Sequence, residues 1–190
     1  MQNTIHRCDW AEHNPLLQEY HDNVWGKPVH DERTLFRMLM LEAMQAGLSW
    51  LVILRKMDSL AAAFDDFDPE ILRDYDDAKV DLLLQNDGII KNRAKILACI
   101  HNAKMYYTLC EKHGSLNQFL WKHVDGKPVC NRWTDIAEVP ATTPLSDQIS
   151  GELKRMGFKF VGSTTVYAFM QSIGMVNDHL LQCAFRSSDT

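Results

Sequence analysis

The sequence of 190 residues lacks the segments that would place it in a membrane or in the secretory pathway. No apolar run approaches the ~20 residues that a membrane span needs, and residues 1–6 lack the apolar core and cleavage pattern of a signal peptide. Cysteine is scarce and odd in number, at five, which disfavours the paired framework of a disulfide-rich secreted domain. We therefore expect a cytoplasmic protein whose thiols are free or bound to metal.

Positive charge is also in short supply. The chain has 20 Lys and Arg against 25 Asp and Glu, which gives a net charge of -5. This balance disfavours an avid, non-specific DNA binder, because phosphate neutralisation supplies most of such affinity. The stretch Lys91–Lys104 nevertheless contains four Lys or Arg and no acid. Two interpretations stay open, a local basic face on an acidic protein and scattered, solvated charges.

Apolar periodicity predicts an all-α protein. A chain of this length and composition forms one domain over residues 1–190, or two small packed helical lobes. Asp31 and Ser49 are predicted N-caps of the first two helices, and Gly157 is a predicted helix stop. The predicted helices are Thr34–Ala46, Trp50–Phe64, Glu70–Asp74, Ala78–Gln85, Arg93–Cys110, Leu116–Trp121, Ser146–Met156 and Val161–Ile173.

A candidate DNA-binding hairpin separates two of these helices. Gly88 permits a tight turn within residues 86–91, and a basic helix follows from Asn92. Backbone N–H groups at the start of that helix, with Lys91 and Arg93, can hold a phosphate without reading sequence. An ordinary helical corner explains the same pattern about as well.

Cysteine and histidine at the two ends of the chain form a candidate metal site. Cys8 and His21 lie thirteen residues apart, and His179 and Cys183 are four apart, a spacing that shares one face if the segment is a helix. Two sulfurs and two imidazoles suit one tetrahedral zinc ion with a structural role, and Asp22 or Asp178, each adjacent to one of the histidines, can hydrogen-bond to them. With eight histidines and five cysteines in the chain, accidental pairs are the alternative.

Aromatic residues and one carboxylate concentrate near the N-terminus. Trp10, Trp25 and Trp50 fall within the first fifty residues with Tyr20, and Glu42 lies inside an apolar stretch. Such a carboxylate can still face solvent. If it faces inward, a cage of this kind fits a flat cationic or electron-poor ring through stacking and cation–π attraction.

Read together, these segments closely resemble the DNA-3-methyladenine glycosylase I family. The resemblance runs from about Cys8 to Cys183 and covers nearly the whole chain. The segments that carry it are Cys8-Asp9-Trp10, residues 20–26 (YHDNVWG), 41–50 (LEAMQAGLSW), Gly88-Ile89-Ile90, 157–162 (GFKFVG) and 176–179 (VNDH) with Cys183.

The resemblance implies a monofunctional base-excision enzyme of the helix–hairpin–helix class. Such an enzyme removes 3-methyladenine, and to some extent 3-methylguanine, from alkylated double-stranded DNA, and we expect it to be monomeric. The resemblance implies that Cys8, His21, His179 and Cys183 bind one zinc ion. It places Glu42 against the flipped base, with Trp10, Tyr20, Trp50 and nearby Trp25 around it, and it places Gln45-Ala46-Gly47-Leu48 at the gap in the DNA.

Three positions depart from the family pattern. Leu17 and Val24 stand where tyrosine and glutamate are usual, and Ala43 stands where glycine is usual. Two other classes of protein stay open: a non-catalytic, zinc-stabilised binder of methylated or heteroaromatic bases, and a zinc hydrolase with an open metal position.

Overall fold

The computed structural model describes residues 5–187, which are built mainly from α-helices. The helices are α1 (Pro15–Asn23), α2 (Glu32–Gln45), α3 (Trp50–Ala63), α4 (Pro69–Leu72), α5 (Asp77–Gln85), α6 (Arg93–His113), α7 (Leu116–Trp121), α8 (Pro144–Arg155) and α9 (Ser163–Ser172). Short 3-10 helices cover Asp9–Ala11, Asp65–Phe67, Lys122–Val124 and Ile136–Glu138. The prediction of a mainly helical protein is confirmed.

Side-chain caps explain several helix boundaries. The Asp31 carboxylate accepts the N–H of Thr34 at 2.9 Å at the start of α2, as predicted. Ser49 precedes α3 but makes no side-chain cap. The cap of α5 is Asp76, so this helix begins at Asp77, one residue before the predicted Ala78. Helix α6 continues to His113, past the predicted end at Cys110, and stops at Gly114, whose φ is +85°.

Two segments differ from the sequence-based expectation. The N-terminal helix α1 was not predicted, and the segment from His179 to Cys183 is not helical. Strand β2 (Val176–Asn177) pairs in parallel with β1 (Val129–Cys130), which keeps the backbone extended up to Asn177. A turn then follows, in which the Cys183 N–H donates to the Leu180 carbonyl at 2.9 Å.

Helix α2 lies at the centre of the hydrophobic core. It packs against α3, α6, α7 and α9, and its buried residues lie on several sides of the helix. Glu42 belongs to the C-terminal half of this helix and is 3% exposed, so the core itself forces the carboxylate inward. Within residues 5–187, no helix is long and apolar enough to cross a membrane.

Candidate active site and metal cluster

The four predicted metal ligands meet in one buried group, here called the metal cluster: Cys8, His21, His179 and Cys183. Their ligand atoms all lie within 4.8 Å of one another. Cys183 Sγ is 3.5 Å from His21 Nε2 and 3.4 Å from His179 Nδ1, and Cys8 Sγ is 3.8 Å from His179 Nδ1. Two sulfurs and two imidazole nitrogens at these separations can hold one metal ion.

The second ring nitrogen of each histidine has its own partner, as is usual at metal sites. His21 Nδ1 lies 2.8 Å from Asp22 Oδ1, and Arg7 binds the same carboxylate. His179 Nε2 lies 3.2 Å from the Trp25 carbonyl. These contacts leave His21 Nε2 and His179 Nδ1 facing the two sulfurs.

The two thiols of the metal cluster shift each other's pKa in opposite directions. Sharing a hydrogen bond with Cys183 raises the pKa of Cys8 above its usual range, and burial adds to this. The same contact lowers the pKa of Cys183, and hydrogen bonds from the two histidines lower it further. One thiolate is thus stabilised by the protein alone, whereas two adjacent thiolates require a cation.

A cavity of about 430 Å³ opens beside the metal cluster. All five residues expected around the base line it: Glu42 and the four residues that we call the aromatic wall, namely Trp10, Tyr20, Trp25 and Trp50. Two buried polar atoms among the described residues lack a hydrogen-bond partner, Glu42 Oε2 and Trp50 Nε1. Such an atom costs about 1–3 kcal/mol when left unpaired, so this pair is suited to a polar, flat ligand.

The aromatic wall separates the cavity from the metal cluster. Trp10 lies edge-on to His21 with ring centroids 5.3 Å apart, and Trp25 lies edge-on to His179 at 4.6 Å. The ring centroids of Tyr20 and Trp50, the other two residues of the wall, lie 5.1 Å apart. None of the four cluster residues lines the cavity. A metal ion held by the metal cluster would therefore stabilise the aromatic wall on the side that faces away from the cavity.

Burial controls the protonation of Glu42. Loss of solvent raises the pKa of this carboxyl to about 8, and the Ser172 hydroxyl nearby opposes this rise only in part. The free protein at pH 7 therefore holds Glu42 largely in its neutral form, whereas the sequence alone suggested a carboxylate. A positive charge brought into the cavity would favour ionisation.

The hairpin joins α5 to α6 through residues 86–91. Asn86 Oδ1 accepts the Gly88 N–H at 2.8 Å, and a Cβ at Gly88 would crowd Asn86 and Ser59 at 3.0–3.1 Å. The exposed side chains of Lys91 and Arg93 form ion pairs with Asp87 and Asp81. Exposed pairs of this kind contribute little, so both cations can exchange partners.

The loop after α2 projects outward. Gly47 has a φ of +77°, and a Cβ added there would meet nothing within 4 Å. The Leu48 side chain is 39% exposed. This loop continues directly from the end of α2, the helix that carries Glu42 into the cavity.

Comparison with known proteins identifies the family. The family model described as methyladenine glycosylase matches residues 10–187. The chain belongs to this family. It is 41% identical over 182 residues to DNA-3-methyladenine glycosylase of Haemophilus influenzae, covering 96% of this chain and 98% of that one. It is 42% identical over 179 residues to DNA-3-methyladenine glycosylase 1 of Escherichia coli, covering 94% and 96%.

Solved structures agree with this assignment. One is a variant of 3-methyladenine DNA glycosylase I in complex with 3-methyladenine, with a TM-score of 0.91 and 34% identity over 95% of this chain and 97% of that one. The residues by which this chain departs from the family pattern, Leu17, Val24 and Ala43, do not line the cavity. Their effect on its shape is at most indirect.

Sequence reasoning missed most of the opposite side of the cavity. Thr164, Tyr167, Ala168 and Gln171 recur at helical spacing on α9 and so share one face. That periodicity is visible in the sequence, but it indicates only an apolar core helix. The segment after β1 adds Ile136, Val139, Pro140 and Ala141, ordinary residue types that carry no chemical signal in sequence.

Asp178 is a further missed lining residue. The sequence suggested it as a partner for the adjacent His179, but instead it accepts hydrogen bonds from four other side chains at 2.6–2.7 Å. The donors are Asn131, Trp133, Tyr167 and Gln171. Asp178 therefore ties α9 to the segment that follows β1.

Proposed function

We propose that this protein hydrolyses the N-glycosidic bond of 3-methyladenine in alkylated double-stranded DNA. The base would leave the helical stack and enter the cavity around Glu42, as enzymes that act on a DNA base require. The observation that carries the proposal is that Glu42 Oε2 and Trp50 Nε1 are both buried without hydrogen-bond partners in a cavity with aromatic walls.

Charge selects the damaged base in this proposal. Methylation at N3 makes adenine cationic in DNA, which strengthens contacts with the indole faces of the aromatic wall. The incoming cation lowers the pKa of Glu42, so the carboxyl gives up its proton as the base is bound. An uncharged normal adenine does not lower the pKa of Glu42 in this way, so the carboxyl stays neutral.

The same charge explains why no strong general acid is needed. A cationic base is already a good leaving group, and the first turn of α6 offers no aspartate after the hairpin, since it reads Asn92-Arg93-Ala94-Lys95. Ionised Glu42 would favour positive charge that develops on the sugar. We assign Glu42 to base recognition and electrostatic stabilisation, with 3-methylguanine as a second candidate substrate.

The hairpin and the loop after α2 are the proposed DNA contacts. The N-terminus of α6, with Lys91 and Arg93, would hold a phosphate in the manner of a helix–hairpin–helix protein. Gly47 and Leu48 would fill the gap that the base leaves, because the loop is exposed and close to α2 in sequence. A single-domain, monomeric enzyme is part of this proposal.

Zinc is the proposed occupant of the metal cluster. With zinc at ~2.3 Å from sulfur and ~2.0–2.1 Å from nitrogen, tetrahedral geometry separates the two ligand atoms by about 3.6 Å, close to the observed 3.4–3.8 Å. Bound there, the ion would stabilise the junction of the chain ends. Four protein ligands leave no open position for a hydrolytic water.

The test is base release from methylated duplex DNA, with chromatographic identification of the product. We expect free 3-methyladenine to be released by the purified protein. A protein that binds 3-methyladenine but releases none from DNA would be the non-catalytic binder instead.

A further inference from the structure

The ammonium group of Lys95 is buried, although it belongs to the basic stretch that begins at Lys91. Lys95 is 6% exposed. Its Nζ donates to the Met44 carbonyl at 2.7 Å and to the Ala46 carbonyl at 2.6 Å. Both acceptors belong to the backbone, and burial lowers the pKa of Lys95. This cation is thus directed into the protein and away from any phosphate.

Lys95 connects two parts of the molecule that the proposed function uses separately. Its backbone lies in the first turn of α6, directly after the hairpin, where the Asn92 side chain accepts its N–H at 3.1 Å. Its side chain reaches the end of α2. The two carbonyls flank Gln45, which lines the cavity, and Ala46 immediately precedes Gly47.

A cation is the appropriate group at this position. The last carbonyls of a helix lack intrahelical partners and carry the negative end of the helix dipole. One ammonium with several donors satisfies two of these carbonyls at once. A buried charge is retained only with such partners, since desolvation is otherwise costly. The contact therefore fixes the end of α2 to the start of α6.

We propose that Lys95 is a positioning residue that sets the loop at Gly47 and Leu48 at a fixed distance from the phosphate-binding hairpin. DNA held by the hairpin then meets Leu48 at the gap and presents its damaged base to Glu42 in register. This inference rests on the proposed function. Errors of position of about 1 Å can cost about 100-fold in rate, so a firm connection between the two DNA contacts matters for base release.

The variants that test this role are Lys95→Met, which keeps the chain length but removes the donors, and Lys95→Gln, which keeps an uncharged donor. Lys95→Arg tests rescue by a cation. Lys112→Met is the matched control, because Lys112 is exposed near the other end of α6, about 25 Å from Lys95 at 1.5 Å per residue.

Three quantities separate positioning from general stability: the single-turnover rate of base release from methylated duplex DNA, the affinity for free 3-methyladenine, and Tm. We expect Lys95→Met to lower the single-turnover rate by about tenfold or more while the folded variant binds the free base as the wild type does. Lys95→Arg should recover part of the rate, and Lys112→Met should retain all of it. If Lys95→Met fails to fold, Lys95→Gln takes its place.

A double-mutant cycle with Leu48→Ala gives the sharper result. If Lys95 acts through the loop, the rate losses of the two substitutions are not additive in free energy. A wild-type rate in the folded Lys95→Met or Lys95→Gln variant would overturn the inference, as would fully additive losses. If the wild type itself releases no base, the proposed function fails; release by the wild type and the variant alike overturns only the role of Lys95.

Discussion

Trp10 contacts His21 edge to face, with ring centroids 5.3 Å apart, so the wall of the cavity rests on a residue of the metal cluster. This contact connects the two conspicuous sequence features, the terminal Cys/His set and the N-terminal tryptophans. It also separates their roles, because the cluster residues do not line the cavity. We expect the metal to affect folding more than chemistry.

The first prediction concerns zinc. Cys183→Ser should abolish stoichiometric zinc binding and lower Tm by roughly 10 °C, since a structural zinc site contributes several kcal/mol to folding. Elemental analysis and thermal unfolding measure both effects. Cys130→Ser is the control, because Cys130 is a free cysteine outside the cluster. Wild-type protein purified under metal-replete conditions without any bound metal would rule out the site.

A second prediction concerns Gly26, whose φ is +74° and where an added Cβ would lie 2.9 Å from the His179 ring. Gly26→Ala should destabilise the protein by about 1–3 kcal/mol from backbone strain alone, and it should weaken metal binding by displacing His179. At Gly151 in α8 an added Cβ would meet nothing within 4 Å, so Gly151→Ala should stabilise by up to ~1 kcal/mol. Chemical denaturation measures the free energy of unfolding of both variants. If Gly26→Ala and Gly151→Ala change it equally, the close packing of Gly26 against His179 is contradicted.

The pH dependence of stability provides a third prediction. Because the pKa of Glu42 is about 8 in the folded protein against an ordinary 4.5, the unfolded chain loses this proton first as pH rises. The contribution of Glu42 to stability therefore falls between about pH 4.5 and about pH 8, by on the order of 3 kcal/mol at pH 7. Glu42→Gln removes this effect.

Thermal melts of wild type and Glu42→Gln across that range test the sign. The variant should gain stability relative to wild type as pH rises, although it loses activity. A difference in Tm that stays constant from about pH 5 to about pH 8 would show that Glu42 does not titrate in this window.

The fourth prediction concerns DNA binding by the hairpin. Lys91→Ala should weaken binding to duplex DNA of any sequence and reduce the slope of log K against log salt by about 1, the value for one lost phosphate contact. Lys112→Ala, at the far end of α6, should leave the slope unchanged. Identical slopes for wild type and Lys91→Ala would remove Lys91 from the interface.

Sequence reasoning was most successful where residues of unusual type lie close together in the fold. Cys8, His21, His179 and Cys183 meet as predicted, although the segment from His179 to Cys183 is a turn and not the helix in which residues four apart share a face. A spacing of four brings side chains together in a turn as well as in a helix. The turn forms here because β2 pairs with β1 up to Asn177, a two-residue pairing too short to produce a recognisable strand pattern.

Burial of Glu42 could not be decided from local sequence. An acid between Leu41 and Ala43 can face either way, and only the packing of α2 against several other helices buries every residue from Met38 to Met44. The proton held by Glu42 follows from that packing. The cavity lining on α9 and after β1 was missed for the same reason, since it depends on which distant segments meet.

The most direct test of the account is the single-turnover release of 3-methyladenine from methylated duplex DNA by wild type and Glu42→Gln, after both are shown to fold and to bind zinc. We predict release by wild type and a rate lower by about 100-fold in the variant, the scale of loss when one electrostatic contact to the transition state is removed. Equal rates, together with equal affinity for the free base, would contradict the placement of the base at Glu42.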